Sequence, residues 1–209
     1  MGKNMENAKE EKRGLVKNKY GAIAKGDPDL CVSSCCTGSS PLVNIMSVSK
    51  ALDYTESDLH LAPGEANLGL GCGNPISRAR LMPGETVLDL GSGAGFDAFL
   101  AAKQVGESGK VIGVDMTPEM VEKAKSNARN LGMFNVDFRQ GEIEKLPVED
   151  QCIDVVISNC VINLSLDKSA VFGEIHRSLK PGGRMVISDI LSSGEMPEAI
   201  RNNPAAYTG

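Results

Sequence analysis

The chain has no tryptophan and few other aromatics, with 3 tyrosines and 5 phenylalanines in 209 residues. It has no excess of positive charge: 22 basic residues face 27 acidic ones, for a formal net charge of -5. That balance argues against nucleic acid or an anionic membrane as the main partner. No apolar run approaches the roughly 20 residues that a membrane helix needs. The N-terminal stretch MGKNMENAKEEKR is charged and lacks a hydrophobic signal region, so a cytoplasmic protein is expected. C-x-x-C spacing is absent and there are only 2 histidines, so a zinc finger is a poor fit. What is left, 41% hydrophobic and 23% charged residues, suits a soluble globular domain rather than a fibrous or disordered one.

Six cysteines are present: Cys31, Cys35, Cys36, Cys72, Cys152 and Cys160. In a reducing cytoplasm they are expected to be mostly thiols. Structural disulfides then explain them poorly, and metal, metalloid or redox chemistry explains them better. The plain alternative is a set of small buried hydrophobes. Cys152, placed before an apolar strand, is read that way.

The chain divides near Leu81. In residues 1–80, strand signals are weak. Met5 to Ala24 reads as a polar helix with a sparse apolar stripe, Leu15, Tyr20 and Ile23. A turn-rich loop carries Cys31, Cys35 and Cys36, and a short helix is expected from Leu42 or Val43 to about Leu52. The segment PGEANLGLGCGNP then packs four glycines and two prolines into thirteen residues, a loop whose backbone should closely approach something.

From residue 81 to 209 the rhythm alternates. Strands are expected at Thr86–Leu90, Lys110–Asp115, Val136–Gln140, Ile153–Asn159 and Arg184–Ile190. Helices are expected from the end of the first loop to about Val105, from Thr117-Pro118 to Leu131, and over Asp167–Leu179. The fold class is therefore α/β, a doubly wound, Rossmann-like parallel sheet with five strands visible and an N-terminal helical and loop extension.

The loop Asp89-Leu90-Gly91-Ser92-Gly93-Ala94-Gly95 joins the first strand to the first helix, with G-x-G-x-G spacing rather than the dinucleotide pattern. An acid, Asp115, ends the second strand. VLDLGSGAGFD, VIGVDMTPEM, GEIEKLPVEDQCIDVVISN and LKPGGRMVISD, in this order, resemble the motif series of class I S-adenosyl-L-methionine methyltransferases. The resemblance implies that Gly91, Gly93 and Gly95 face the methionine and ribose of the cofactor. It implies that Asp115 holds the ribose and Met116 lies against the adenine. Glu142 and the Ile143 backbone would read the adenine edge. Tyr20 is either a core contact or a cover over the cofactor, and Asp89 and Asn159 are further cofactor contacts on the same resemblance.

The acceptor of the methyl group is suggested by the cysteines. Lys19-Tyr20-Gly21, the vicinal Cys35-Cys36, LGLGCGNP around Cys72 and SNCVINL around Cys160 resemble the arsenite methyltransferases. That likeness implies that Cys72 and Cys160 bind As(III) as thiolates, with Cys35 or Cys36 as a redox partner and Cys31 a weaker match. The substrate would be arsenite or its thiol conjugates, and the reductant a dithiol system such as thioredoxin or glutathione. The chemistry is coherent, because soft As(III) prefers sulfur to oxygen. The family's third arsenic-binding cysteine lies after the fifth strand. No cysteine follows Cys160 here, and only nineteen residues follow Ile190, with a short amphipathic helix at most. A fragment of a longer enzyme is expected on that ground, one that could be inactive by itself. Two other readings stay open: a methyltransferase acting on a lipid, quinone or sterol, and a non-enzymatic thiol-rich metalloid binder.

Overall fold

The computed structural model describes residues 2–26, 45–62, 65–195 and 198. Helix α1 covers Gly2–Ala24, and three short helices, α2 (Ile45–Ala51), α3 (Glu56–Leu61) and α4 (Ile76–Ala79), precede the sheet. Alternation then sets in: β1 (Thr86–Leu90), α5 (Phe96–Val105), β2 (Lys110–Asp115), α6 (Pro118–Leu131), β3 (Val136–Gln140), β4 (Ile153–Asn159), α7 (Lys168–Ser178) and β5 (Leu179–Ser188). All pairings are parallel, in the order β3-β2-β1-β4-β5. The order reverses between β1 and β4, so the loops after these two strands part, and the crevice opens there.

Each central strand buries both faces, as a sheet covered by helices on both sides requires. Val87, Val111, Val155 and Ile157 face one apolar layer with Phe99 and Val121. Leu88, Leu90, Val114 and Val156 face a second with Val171 and Ile175 of α7. Tyr54, Leu59, Ile76 and Leu81 belong to the first layer, so the segment before β1 shares the core of the sheet. α3 begins with a reciprocal cap: the Thr55 side chain accepts from Asp58 N, and Thr55 N donates to Asp58 Oδ2 at 2.9 Å. Such a cap stabilises a helix end by about 1 kcal/mol. α6 opens on Pro118 and closes on Gly132, as expected, although the Thr117 side chain makes no capping bond.

Several sequence expectations shift. On α1 the buried stripe runs through Val16 and Ile23, while Leu15 is 37% exposed. Ile23 and Tyr20 of the expected stripe do pack inward, and Val16 takes the place expected for Leu15. The second helix is described over Ile45–Ala51, its expected start at Leu42 or Val43 lying outside the described residues, and α3 and α4 are additional to the expected elements. β5 starts at Leu179 rather than Arg184 and stops at Ser188 rather than Ile190. Ile153 pairs with Leu179 and Val155 with Arg184, so Lys180–Gly183 form an irregularity inside the strand. α7 consequently ends at Ser178. Among the described residues no helix is long and apolar enough to cross a membrane. The C-terminal helix expected beyond Glu195 lies almost wholly outside the described residues.

Candidate active site

A cleft opens at the C-terminal ends of β1, β2 and β4. Its wall after β1 is the glycine loop. Gly91 N and Ser92 N both donate to the Val114 carbonyl, at 2.8 and 3.1 Å, which ties the loop to β2. Gly93 N donates to Asp115 Oδ2 at 3.0 Å, and Thr117 N donates to Asp115 Oδ1 at 2.8 Å. Asp115 is thus aimed by two backbone donors into the cleft it lines. A Cβ on Gly93 would meet nothing within 4 Å, so its backbone is open to a ligand. Gly95 has another task. It has φ +98°, and a Cβ there would lie 2.8 Å from Phe99 and Phe138, so it lets the loop turn into α5 over two packed rings. Gly91 lines the cleft, and a Cβ there would collide with the Val161 side chain.

Two buried acids, Asp89 and Asp97, and the half-buried Asp115 converge on this cleft. Asp89 is 3% exposed, and its Oδ2 has no hydrogen-bond partner. Burial, with the carboxylates of Asp97 and Asp115, pushes the Asp89 carboxyl well above the usual aspartate range. Burial also pushes Asp97 and Asp115 up, against the hydrogen bonds that favour their ionised forms. Such a cluster is stabilised by keeping a carboxyl protonated or by a nearby cation, since an unpaired buried carboxylate is costly. Apolar surface from Tyr20, Met116, Met120, Ile143 and Leu164 faces the same space.

Glu142 stands apart from the other expected residues. It is not in the cleft lining; its carboxylate lies 3.6 Å from both Arg13 and Lys17 of α1. Glu144, two residues on, does line the cleft and accepts from Ser165 Oγ at 2.7 Å. The alternation of the loop after β3, and the arrival of α1, decide which glutamate turns inward.

The second wall carries sulfur. Cys160 follows β4 with φ +58°, an uncommon conformation for a non-glycine residue, and donates its N–H to Ser188 O at 2.8 Å. Cys72, 88 residues earlier, is joined to it in a disulfide with a Cα–Cα distance of 5.7 Å. Against an expectation of mostly free thiols, two cysteines are paired, and they are the two singled out as arsenic ligands. The carboxylate of Asp189 stands beside them, with all three donor atoms within 4.8 Å of one another. Asn159, expected as a cofactor contact, spends its amide elsewhere. Its Oδ1 accepts from Cys72 N at 3.0 Å, and its Nδ2 reaches Gly73 O and Asp97 Oδ2, both at 2.9 Å. Tyr54, which nothing in the sequence marked, donates its hydroxyl to Asp97 Oδ1 at 2.6 Å. Burial and the Asp97 carboxylate push the Tyr54 phenol far above its ordinary value, so it remains a proton donor. Cys152 is a half-buried thiol packed under β4, its Sγ 3.1 Å from Glu149 O. Cys31, Cys35 and Cys36 lie outside the described residues.

A parallel 3-2-1-4-5 sheet with a glycine loop after β1, an acid closing β2 and a crevice at the switch point is the Rossmann-like fold of class I methyltransferases, and residues 81–209 match the family described as Methyltransferase domain. The chain belongs to that family. Within it, the chain is 47% identical over 209 residues to an arsenite methyltransferase of Halobacterium salinarum, covering 96% of this chain and 52% of that protein. An arsenite methyltransferase of Aquipseudomonas alcaligenes is 39% identical over 199 residues, covering 92% of this chain and 54% of its own length. The chain therefore spans about half the length of these curated relatives. Among solved structures, the arsenic(III) S-adenosylmethionine methyltransferase of Chlamydomonas reinhardtii superposes with a TM-score of 0.60 at 45% identity. That match covers 76% of this chain and 54% of that one.

Proposed function

We propose that this chain is the cofactor-binding and arsenic-binding part of an S-adenosyl-L-methionine-dependent arsenite methyltransferase. The observation that carries the reading is the Cys72–Cys160 pair at the end of β4, on the edge of a cleft lined by Asp89, Asp97 and Asp115. The likeness to arsenite methyltransferases over almost the whole chain, including the segment before the methyltransferase domain, supports it.

The cleft suits the cofactor's chemistry. Asp115 would accept from the ribose hydroxyls, as an acid closing the second strand of such folds does. Asp89, with its unpaired Oδ2, would take the cofactor's ammonium group. Gly93 leaves backbone open beside them, and Met116, Ile143 and Tyr20 offer apolar faces for the purine. When bound, S-adenosylmethionine supplies an activated methyl on a sulfonium.

The cysteines prepare the acceptor. Each thiol that replaces a hydroxide on arsenite gives its proton to the leaving oxygen, which departs as water. Two such exchanges leave arsenic on Cys72 and Cys160 with one oxygen ligand, beside the Asp189 carboxylate as a hydrogen-bond acceptor. The arsenic keeps its lone pair and has no proton to lose, so the site needs no general base for methylation. The chain's contribution is to hold the arsenic in place. Methylation formally raises arsenic by two electrons' worth of oxidation. Closing the two thiolates into a disulfide releases two electrons and restores As(III). An external dithiol of the thioredoxin or glutathione type then reopens the pair by exchange. Cys35 and Cys36 could relay that reduction.

The test is direct. The reduced chain, given arsenite and methyl-labelled cofactor, should bind As(III) with protection of Cys72 and Cys160 from alkylation, and label should appear in arsenic species. Protection of other cysteines with those two left reactive would sink the reading.

A further inference from the structure

Cys72 sits in a loop without helix or strand, yet it meets a partner 88 residues away. We propose that Tyr54, Asp97 and Asn159 form a positioning clamp that fixes the Cys72–Gly73 backbone, and so sets how readily the Cys72 sulfur engages that of Cys160. Its consequence for catalysis rests on the reading of these cysteines as the arsenic-binding pair; the clamp itself rests on geometry.

Asn159 pairs with the loop as a neighbouring strand would. Its Oδ1 accepts the Cys72 N–H at 3.0 Å and its Nδ2 donates to the Gly73 carbonyl at 2.9 Å. The amide can face only one way, because its oxygen must meet an N–H. The second Nδ2 proton goes to Asp97 Oδ2 at 2.9 Å, and the Tyr54 hydroxyl donates to Asp97 Oδ1 at 2.6 Å while standing 3.0 Å from the Gly73 carbonyl. Three elements therefore converge: the turn before α3, the first turn of α5 and the end of β4. Tyr54 and Asp97 are buried, at 5% and 9% exposure, so water cannot easily replace a missing member. The loop comes close enough to need glycine: a Cβ on Gly71 would lie 2.7 Å from Asn159 Nδ2. Asn159 is the residue before Cys160, so one strand end carries both the clamp and the second sulfur.

The physical effect is on effective concentration. Two thiols on one chain react as if at a concentration set by how tightly the linking segment is held. Removing one hydroxyl from a buried network loosens the loop without removing either sulfur.

The test is the thiol–disulfide equilibrium of the whole chain in graded oxidised and reduced dithiothreitol, with the Cys72–Cys160 peptide quantified by alkylation and mass spectrometry. Tyr54→Phe keeps the ring against Phe96 (centroids 5.0 Å apart) and deletes only the hydroxyl. Disulfide formation should weaken about tenfold, a rise of about 30 mV in potential. As(III) affinity should fall by a similar factor. Ile175→Val, buried beneath the opposite face of the sheet, should lower thermal stability and leave the potential unmoved. A Tyr54→Phe potential equal to wild type, or an equal shift in Ile175→Val, overturns the clamp. If the potential shifts as expected but the wild-type chain does not bind As(III), the clamp stands and the arsenic reading falls.

Discussion

At the ends of β1 and β2 the loop is held by its neighbours in the sheet: Gly91 N donates to the Val114 carbonyl at 2.8 Å, and Gly93 N to Asp115 at 3.0 Å. At the ends of β4 and β5 the matching wall depends on Cys72, brought from outside the sheet and held by its disulfide to Cys160 and by the Asn159 amide. The first wall follows once the strands are in register, because its bonds join residues about 22 positions apart, each with a backbone N–H as donor and with a backbone carbonyl or the Asp115 carboxylate as acceptor. The second needs three side chains from three elements to arrive together. The cofactor wall should therefore tolerate the loss of a polar side chain as a fold while losing affinity, whereas the sulfur wall should lose its geometry.

The largest break in that comparison is Cys160→Ser. Serine is a hard, protonated oxygen donor, and losing one of two thiolates removes the intramolecular second bond. As(III) affinity should drop roughly 10²–10⁴-fold, while calorimetry should find the S-adenosylmethionine affinity nearly unchanged. Next comes Gly95→Ala, which combines a backbone at φ +98° with contacts at 2.8 Å to two rings. It should cost about 2–4 kcal/mol of stability in urea denaturation; a loss under half a kcal/mol would show that the turn into α5 can relax.

Asp115→Ala separates the two walls most cleanly. It should weaken the cofactor by about 1–3 kcal/mol and leave As(III) binding by the thiols in place. Equal losses of both ligands would mean that the walls are one cooperative unit.

Titration offers a gentler probe. Asp89, Asp97 and Asp115 all have carboxyls raised in the fold, chiefly by burial. A raised acid favours the folded state below the unfolded pKa, and that contribution is lost as pH rises through the folded pKa. The ligand-free chain should therefore lose stability from the usual aspartate range upward. The cationic cofactor should restore more of it at pH 7.5 than at pH 5.5. Glu85 and Glu174, held down first by their hydrogen bonds to Arg184 and Arg177, act in the opposite sense and only as pH falls through their own lowered range. Melting temperatures with and without cofactor decide this; a cofactor effect that does not vary with pH would contradict it.

The smallest effect belongs to Glu142→Gln. Its partners Arg13 and Lys17 are each 3.6 Å away and partly solvated, so the stability change should stay within about 0.5 kcal/mol. Cofactor affinity should change less than in Asp115→Ala. A larger loss would return Glu142 to the adenine edge.

Much of the cofactor wall is legible in the residues alone. The four strands from Thr86 to Asn159 stand where the apolar runs end in turn formers, because strand length and burial are written locally in such runs. The glycine loop and Asp115 are legible for the same reason. β5 begins earlier than expected because Pro181-Gly182-Gly183 reads as a stop, while the strand absorbs it as an irregularity paired with β4. The inward turn of Glu144 instead of Glu142 depends on how α1 docks, which no local pattern encodes.

By itself the sequence determined the alternation of strands and helices and the crevice at the strand ends, since each is a property of residue type and short-range spacing; Cys72 and Cys160 are singled out by the resemblance of their segments to the arsenite methyltransferases. Only the tertiary structure decided that Cys72 and Cys160 are bonded, and that Tyr54, Asp97 and Asn159 hold one of them in place. The partners in that network lie 43, 62 and 87 positions apart along the chain. Pairing over such distances is decided by how loops close and helices pack around the sheet, and a linear reading carries no information on which side chains will then meet.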